Sequence, residues 1–169
     1  MKVPYTNFKT FVNGEWKEVD TEEIFSDKKI IILAVPGAFT SEKSDKQVQE
    51  YENAYETLKK KGIDEVFCTS VNDTFVMNAW FEKIGIKQVK VLADGEGVFA
   101  QGMGMLVNKP RQGFGMRSWR YSALVDDGEV KNILEEPGKN NSSDDDDPKG
   151  RSNVANVLKY MERSSRKRY

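Results

Sequence analysis

The run Lys29-Ile-Ile-Ile-Leu-Ala34, continued by Val35 and cut off at Pro36-Gly37, constrains the fold more than any other segment. After Lys29 it is apolar at every position instead of at alternate ones. A strand of this kind is buried on both faces, so it belongs in the centre of a sheet with layers packed on either side. It is far too short to span a bilayer. The other periodicities supply the layers. Val48, Tyr51, Tyr55 and Leu58 share one helical face and predict a helix from about Ser41 to Lys61, closed by Gly62. Ile63 to Val71 predicts a second strand. Asp73 is placed to cap a helix carrying Phe75, Val76, Ala79, Trp80 and Ile84, ended by Gly85. Val89 to Leu92 predicts a third strand. Hairpins are predicted at each end of this core. One runs Phe8–Val12 and Glu15–Val19 around Asn13-Gly14; the other runs Tyr121–Val125 and Glu129–Leu134 around Asp127-Gly128. Between the first hairpin and the central strand, Asp20 or Thr21 caps a short helical turn to Phe25. Ser152 to Met161 reads as a last amphipathic helix. Strands alternating with helices mean α/β, and the second hairpin makes the central sheet mixed, with helices on both faces.

Composition narrows the chemistry. The 169 residues suit one domain, 1–169, with an acidic loop insertion at 140–150 and a basic tail at 163–169. Histidine is absent and Cys68 is the single cysteine. Ser-His-Asp and Cys-His nucleophiles, His-ligated metals, intrachain disulfides and CxxC pairs are therefore excluded. Any reactive group must be Lys, Arg, Asp, Glu, Tyr, Ser, Thr or the lone thiol. No metal and no cofactor is expected. The row Asp144–Asp147 lacks the alternating ligand spacing of a calcium loop and reads as a solvated segment. The net charge of −1 argues against nucleic acid as a partner. Met1 to Lys9 has no apolar signal segment, so a cytoplasmic protein without a membrane partner is expected. The glycine-rich stretch Gly102-Met-Gly-Met-Leu and Pro110-Arg-Gln-Gly-Phe-Gly115 lacks the Gly-Lys-Ser/Thr of a phosphate loop and reads as a mobile loop.

Three blocks carry a resemblance. Val35-Pro-Gly-Ala-Phe-Thr40 follows the buried strand and opens a helix. Ser70-Val-Asn-Asp-Thr-Phe-Val-Met77 precedes Ala79-Trp80. Arg117-Ser-Trp-Arg-Tyr-Ser122 leads into the last hairpin, with Glu135-Glu-Pro-Gly-Lys139 after it. In this order and spacing they closely resemble a type II peroxiredoxin, a single-domain thiol peroxidase of the redoxin (AhpC/TSA) family. The resemblance implies a thioredoxin-like sandwich and the reduction of hydrogen peroxide and alkyl hydroperoxides. It also implies reductants such as glutaredoxin or thioredoxin, and a homodimer. The family motif is Pro-x-x-x-Thr-x-x-Cys at the first turn of a helix, with an arginine on a later strand. By this resemblance Pro36 is the shielding proline, Thr40 the peroxide-binding threonine and Arg120 the arginine. The peroxidatic position falls on Lys43, and the flanking residues become Ser41-Glu-Lys-Ser44.

An ammonium group is no nucleophile towards peroxide, whereas a thiolate passes through a sulfenic acid. Lys43 would stand at the positive end of a helix beside Arg120, where a second cation calls for an anion or a carboxylate such as Glu42. Several readings stand open. The chain is catalytically degenerate, with the pocket plugged by Lys43 or binding a small anion through Lys43, Thr40 and Arg120. Alternatively, Lys43 turns to solvent with no role. Alternatively again, the chain is an active thiol-dependent peroxidase through Cys68 or another route. Cys68 lies on the second strand, where apolar surroundings raise a thiol's pKa and block access; a structural role is the stronger reading. Trp80, Trp119, Phe39, Phe75, Phe114 and Met116 are candidates for an aromatic patch around the pocket, although core packing is expected for Phe75 and Trp80. Phe39, Trp80 and Phe114 are the expected dimer contacts.

Overall fold

The computed structural model describes residues 1–141 and 150–166. The expectations for Asp144–Asp147 and for the last three residues of the tail lie outside the described residues. Strand β1 (Asn7–Val12) pairs antiparallel with β2 (Glu15–Asp20) as a separate two-stranded ladder. Asn13 and Gly14 turn it with positive φ at both positions, the geometry that matches strand twist. The short helix α1 (Thr21–Phe25) begins in a capping box: Asp20 accepts from the Glu23 N–H and the Glu23 carboxylate accepts from the Asp20 N–H.

The central sheet has the order β5–β4–β3–β8–β9. Its middle strand is β3 (Lys29–Ala34), the apolar run, flanked by β4 (Glu65–Ser70) in parallel and β8 (Tyr121–Asp126) in antiparallel. Strand β5 (Lys90–Ala93) extends the parallel side, and β9 (Glu129–Glu135) the antiparallel side with a bulge at Leu124/Val125. Ile31 and Leu33 face one layer; Ile30, Ile32 and Ala34 face the other, and all are fully buried. Burying each of the larger side chains contributes about 1.5–3 kcal/mol.

The first layer holds helices α2 (Glu42–Asn53), α3 (Tyr55–Lys60), α4 (Thr74–Ile84) and α6 (Val154–Arg166). The predicted helix from Ser41 to Lys61 is thus two helices broken at Ala54, although Val48, Tyr51, Tyr55 and Leu58 share one buried face as the spacing requires. Asp73 caps α4 by accepting from the Val76 N–H at 2.9 Å, and Gly85 ends it in the left-handed conformation. Helix α6 runs past Met161 and takes Arg163 and Arg166 into its last turn, where cations complement the helix dipole. The second layer holds α1, α5 (Val98–Gly102) and a further antiparallel ladder, β6 (Leu106–Lys109) with β7 (Gly115–Ser118). The glycine-rich stretch read as a loop is the turn that leaves α5 and the turn that joins β6 to β7, with Leu106 opening β6 and Gly115 opening β7. Glycines there, including Gly104, Gly113 and Gly115, take the positive φ that the turns require. No helix among the described residues is long and apolar enough to cross a membrane.

Candidate functional site

The site forms where the central strand stops. Strands β3 and β8 are antiparallel neighbours, with Ala34 opposite Tyr121. The chain leaving β3 therefore reaches Pro36 beside the residue that enters β8, Arg120. Residues 36–40 then fold back as a tight turn. The Asn72 side-chain carbonyl oxygen accepts from the Ala38 N–H at 3.0 Å and from the Ser70 hydroxyl at 2.7 Å, pinning the turn to the end of β4. The Thr40 hydroxyl donates to the Gly37 carbonyl at 2.7 Å. Phe39 takes a φ of 61°, which costs a bulky residue about 1–2 kcal/mol. Ser41 caps α2 by accepting from the Ser44 N–H at 3.2 Å, so Lys43 stands in the helix's first turn.

Arg120 is 1% exposed. A buried guanidinium needs its donors satisfied, and the first two turns of α2 do part of this. Arg120 donates to the Gln47 side-chain oxygen at 2.7 Å and to the Ser44 hydroxyl at 2.9 Å. Gln47 in turn donates to the Ser152 hydroxyl at 2.8 Å, and that hydroxyl donates to the Glu136 carboxylate at 2.7 Å. Glu136 is itself buried. Burial alone would raise its pKa, but hydrogen bonds from the Ser152 hydroxyl and from the backbone N–H groups of Ser152, Arg151 and Gly150 outweigh it and hold the carboxyl below its usual value. A continuous buried chain thus runs from Glu136, at the end of β9, to the arginine of the site.

Across from α2 stands the β6–β7 hairpin. Together these walls enclose a cavity of about 480 Å³. Pro36, Val107, Phe114 and Trp119 line it with apolar surface; Lys43, Lys109, Arg117 and Arg120 line it with positive charge; Glu42 is the one carboxylate among the described lining residues. Lys109 is 7% exposed, lies over the Trp119 ring at 5.1 Å and donates to the Asn140 side chain at 3.0 Å. Arg117 donates through Nε to the Phe114 carbonyl at 3.1 Å and covers the Phe114 ring at 5.1 Å. Burial lowers the Arg117 pKa from its ordinary value. Arg117 also lies against Gly37: a Cβ there would stand 2.5 Å from Arg117 Nη1.

This geometry matches a known family. The redoxin family model matches residues 1–151. A peroxiredoxin of Rhizobium etli is 43% identical over 169 residues, an alignment covering 95% of this chain and 94% of the relative. The chain is a peroxiredoxin of the redoxin family. The hybrid peroxiredoxin hyPrx5 of Haemophilus influenzae is 42% identical over 160 residues, covering 95% of this chain and 64% of that one. Among solved structures, the Plasmodium falciparum antioxidant protein, a 1-Cys peroxiredoxin, superposes with a TM-score of 0.89 at 30% identity, covering 96% of this chain and 98% of the other. Reduced Prx3 from Vibrio vulnificus, solved in complex with hydrogen peroxide, gives 0.85 at 30% identity, covering 95% and 96%. The thioredoxin-like fold and the type II resemblance both stand.

In this peroxiredoxin Pro36, Thr40, Lys43 and Arg120 line one cavity, so residues separated by up to 84 positions in sequence share one site. Lys43 is exposed at the rim while lining the cavity. Cys68 lies elsewhere: on β4, fully buried, with burial pushing its thiol pKa well above the ordinary value. Two aromatic expectations are corrected. Trp80 cannot contribute a dimer contact, because it is fully buried against Phe81 with its indole N–H donating to Asp45 at 2.8 Å. Phe75 is not in the core: it is 53% exposed and clusters with Phe11 and Trp16 of the first hairpin. Trp119 is also buried, in the wall of the cavity. Phe39 and Met116 are exposed and Phe114 is half-buried. Sequence reasoning missed Ser44, Gln47, Lys109, Arg117, Glu136 and Ser152. The signal for Ser44 and Gln47 was their spacing of three on a helix opening at the site. Arg117 stood inside the block that identified Arg120.

Proposed function

We propose that this peroxiredoxin keeps its family's pocket but not its family's nucleophile, and that the pocket binds a small anion. The family reaction converts a hydroperoxide and two thiols to an alcohol, water and a disulfide. It begins with a thiolate attacking the terminal peroxide oxygen, and an arginine stabilises the charge that develops as the O–O bond breaks. The observation that carries the reading is Lys43 in the first turn of α2, lining the cavity with Thr40 and Arg120 beneath Pro36. A lysine there supplies charge but no sulfur. The active-peroxidase alternative would rest on Cys68, whose full burial and raised thiol pKa oppose it. Lys43, Thr40 and Arg120 would hold the anion, with Glu42 at the rim. The same reading makes the chain a cytoplasmic homodimer joined through the face around the pocket, where Phe39 and Met116 are exposed.

The test is peroxide consumption by the purified protein with glutaredoxin/glutathione and with thioredoxin, beside Lys43→Cys. The wild type is expected to match the protein-free blank, and Lys43→Cys to exceed it. Wild-type turnover at rates typical of active peroxiredoxins would overturn the proposal.

A further inference from the structure

A second cavity opens at the other end of the sheet. Strand β3 runs from Lys29 to Ala34, two residues before Pro36, and β8 runs from Tyr121, next to Arg120, to Asp126. Lys29 and Asp126 are register partners, so the end they mark lies a full strand length from the pocket around Arg120. Here α6 and the strand ends enclose about 390 Å³, within the size range of small-molecule sites.

Three lysines from three separate parts of the chain line this cavity. Lys29 opens β3, Lys61 follows α3 and Lys131 lies in β9. None of the three forms an ion pair among the described residues. Asp126 is the one carboxylate among the described lining residues. Asp64, outside the lining, turns its carboxylate to the Lys29 N–H at 2.8 Å. The C-terminal end of α6 carries the negative pole of that helix, and Arg163 and Arg166 in its last turn answer it. The lining is therefore net positive in a chain whose overall charge is −1. Ser164 and Ser165 bring two hydroxyls with no hydrogen-bond partner among the described residues. Buried Ile63 and half-buried Leu124 and Met161 supply apolar surface. The Tyr160 hydroxyl donates to the Lys131 carbonyl at 3.3 Å and holds that ring beside β9.

An ammonium is a compact charge with three donors and no preferred plane. It suits a tetrahedral group met from several directions, whereas the planar fork of arginine suits a carboxylate. A phosphate monoester carries about −1.5 to −2 charge at neutral pH and presents three strong acceptor oxygens. We propose that this second cavity binds a small phosphate monoester. Lys29, Lys61, Lys131 and the two serine hydroxyls hold its phosphate, and its organic part lies against Ile63, Leu124 and Met161. The site is independent of the pocket around Arg120, and neither reading rests on the other.

Amide NMR of the full chain, titrated with phenyl phosphate, phenyl sulfate and inorganic phosphate, tests this and locates the binding. Phenyl phosphate should saturably shift the amides of Ile63, Leu124, Lys131 and Ser164. Its affinity should exceed by about threefold or more that of phenyl sulfate, which keeps the shape with one charge, and that of inorganic phosphate, which keeps the charge without the body. Lys61→Gln and Lys131→Gln each remove an exposed charge and should each weaken binding of phenyl phosphate about threefold or more. No shift at these amides, shifts confined to those around Thr40 and Arg120, or equal affinity for either comparison probe would overturn the proposal. Unchanged binding in both lysine variants would overturn it as well. The probe series is read on the wild type, so a variant that fails to fold does not remove the test. A peroxidase-active wild type would overturn the degeneracy reading and leave this site standing.

Discussion

Cys68 and Lys43 divide the chemistry between them. The residue able to form a sulfenic acid is sealed on β4, and the residue at the first turn of α2 is an amine. Predictions at this scale concern Cys68 and Gly37. A thiol reagent such as an aromatic disulfide should leave Cys68 unmodified in the native protein and titrate one thiol per chain after denaturation; rapid native labelling would show the strand to be open. Burial raises the Cys68 pKa in the folded state only. The unfolded thiol loses its proton near pH 8.5, so this contribution is intact below that pH and is lost as pH rises. Denaturation midpoints should therefore fall on the alkaline side more steeply in the wild type than in Cys68→Ala. Gly37 is the second case. A Cβ there would meet Arg117 Nη1 at 2.5 Å and Thr40 Cγ2 at 2.8 Å. Gly37→Ala should force Arg117 off its position, lowering stability by about 1–2 kcal/mol and weakening binding in the cavity; an unchanged urea midpoint and unchanged titration would contradict it. At this scale local signals were readable. The Asn13-Gly14 turn, the Asp73 cap and the Gly85 stop each depend on the chemistry of one or two residues. The fates of Phe75 and Trp80 were not readable, because each was decided by a residue distant in sequence: Trp16 for one, Asp45 for the other.

Elements explain what the site borrows. Helix α2 supplies its N-terminal turn to the cavity and, from Ser44 and Gln47, acceptors for the buried guanidinium. Just past β9, Glu136 gathers the N–H groups that lead into α6. Glu136→Gln keeps the shape but loses the charge, and should cost about 1–3 kcal/mol at neutral pH by equilibrium unfolding. The folded-state pKa of Glu136 is depressed, so its contribution is present above the unfolded value of about 4.3 and is lost as pH falls below it. The variant should accordingly lose less stability than the wild type between about pH 5 and pH 3. Equal acid sensitivity would mean that the carboxylate is not held as described. The bonds that join Glu136, Ser152, Gln47 and Arg120 were not legible in advance. The Gln47–Ser152 bond spans 105 positions and the Arg120–Gln47 bond 73, and periodicity reports only which face an element buries. The β6–β7 hairpin escaped notice for a different reason: glycine and proline punctuate it so densely that its four-residue strands show no alternation.

For the molecule as a whole, the buried strand β3 decided most. A run apolar on both faces demanded two layers, and the two core clusters lie on either side of it. Identity at the level of the family was legible through three blocks that the fold brings to one end of the sheet. The expected dimer makes a prediction of its own. Light scattering should give twice the 19.3 kDa chain mass, and Phe39→Glu, which replaces an exposed ring with a charge, should shift the population towards the single chain. A wild type that runs as a single chain at tens of micromolar would remove the dimer from the proposal. The Glu136 clasp has an engineering consequence. One carboxylate grips the chain at 150–152 immediately after β9 ends, so the segment between begins and finishes at the same anchored spot. Loop closure depends only weakly on length once its ends are held together. A reporter peptide or small guest domain spliced in beyond Asn141 would hang from a fixed bracket and leave in place Asn140, which accepts from Lys109 of the cavity wall, and Asn141, which accepts from the Asn108 N–H.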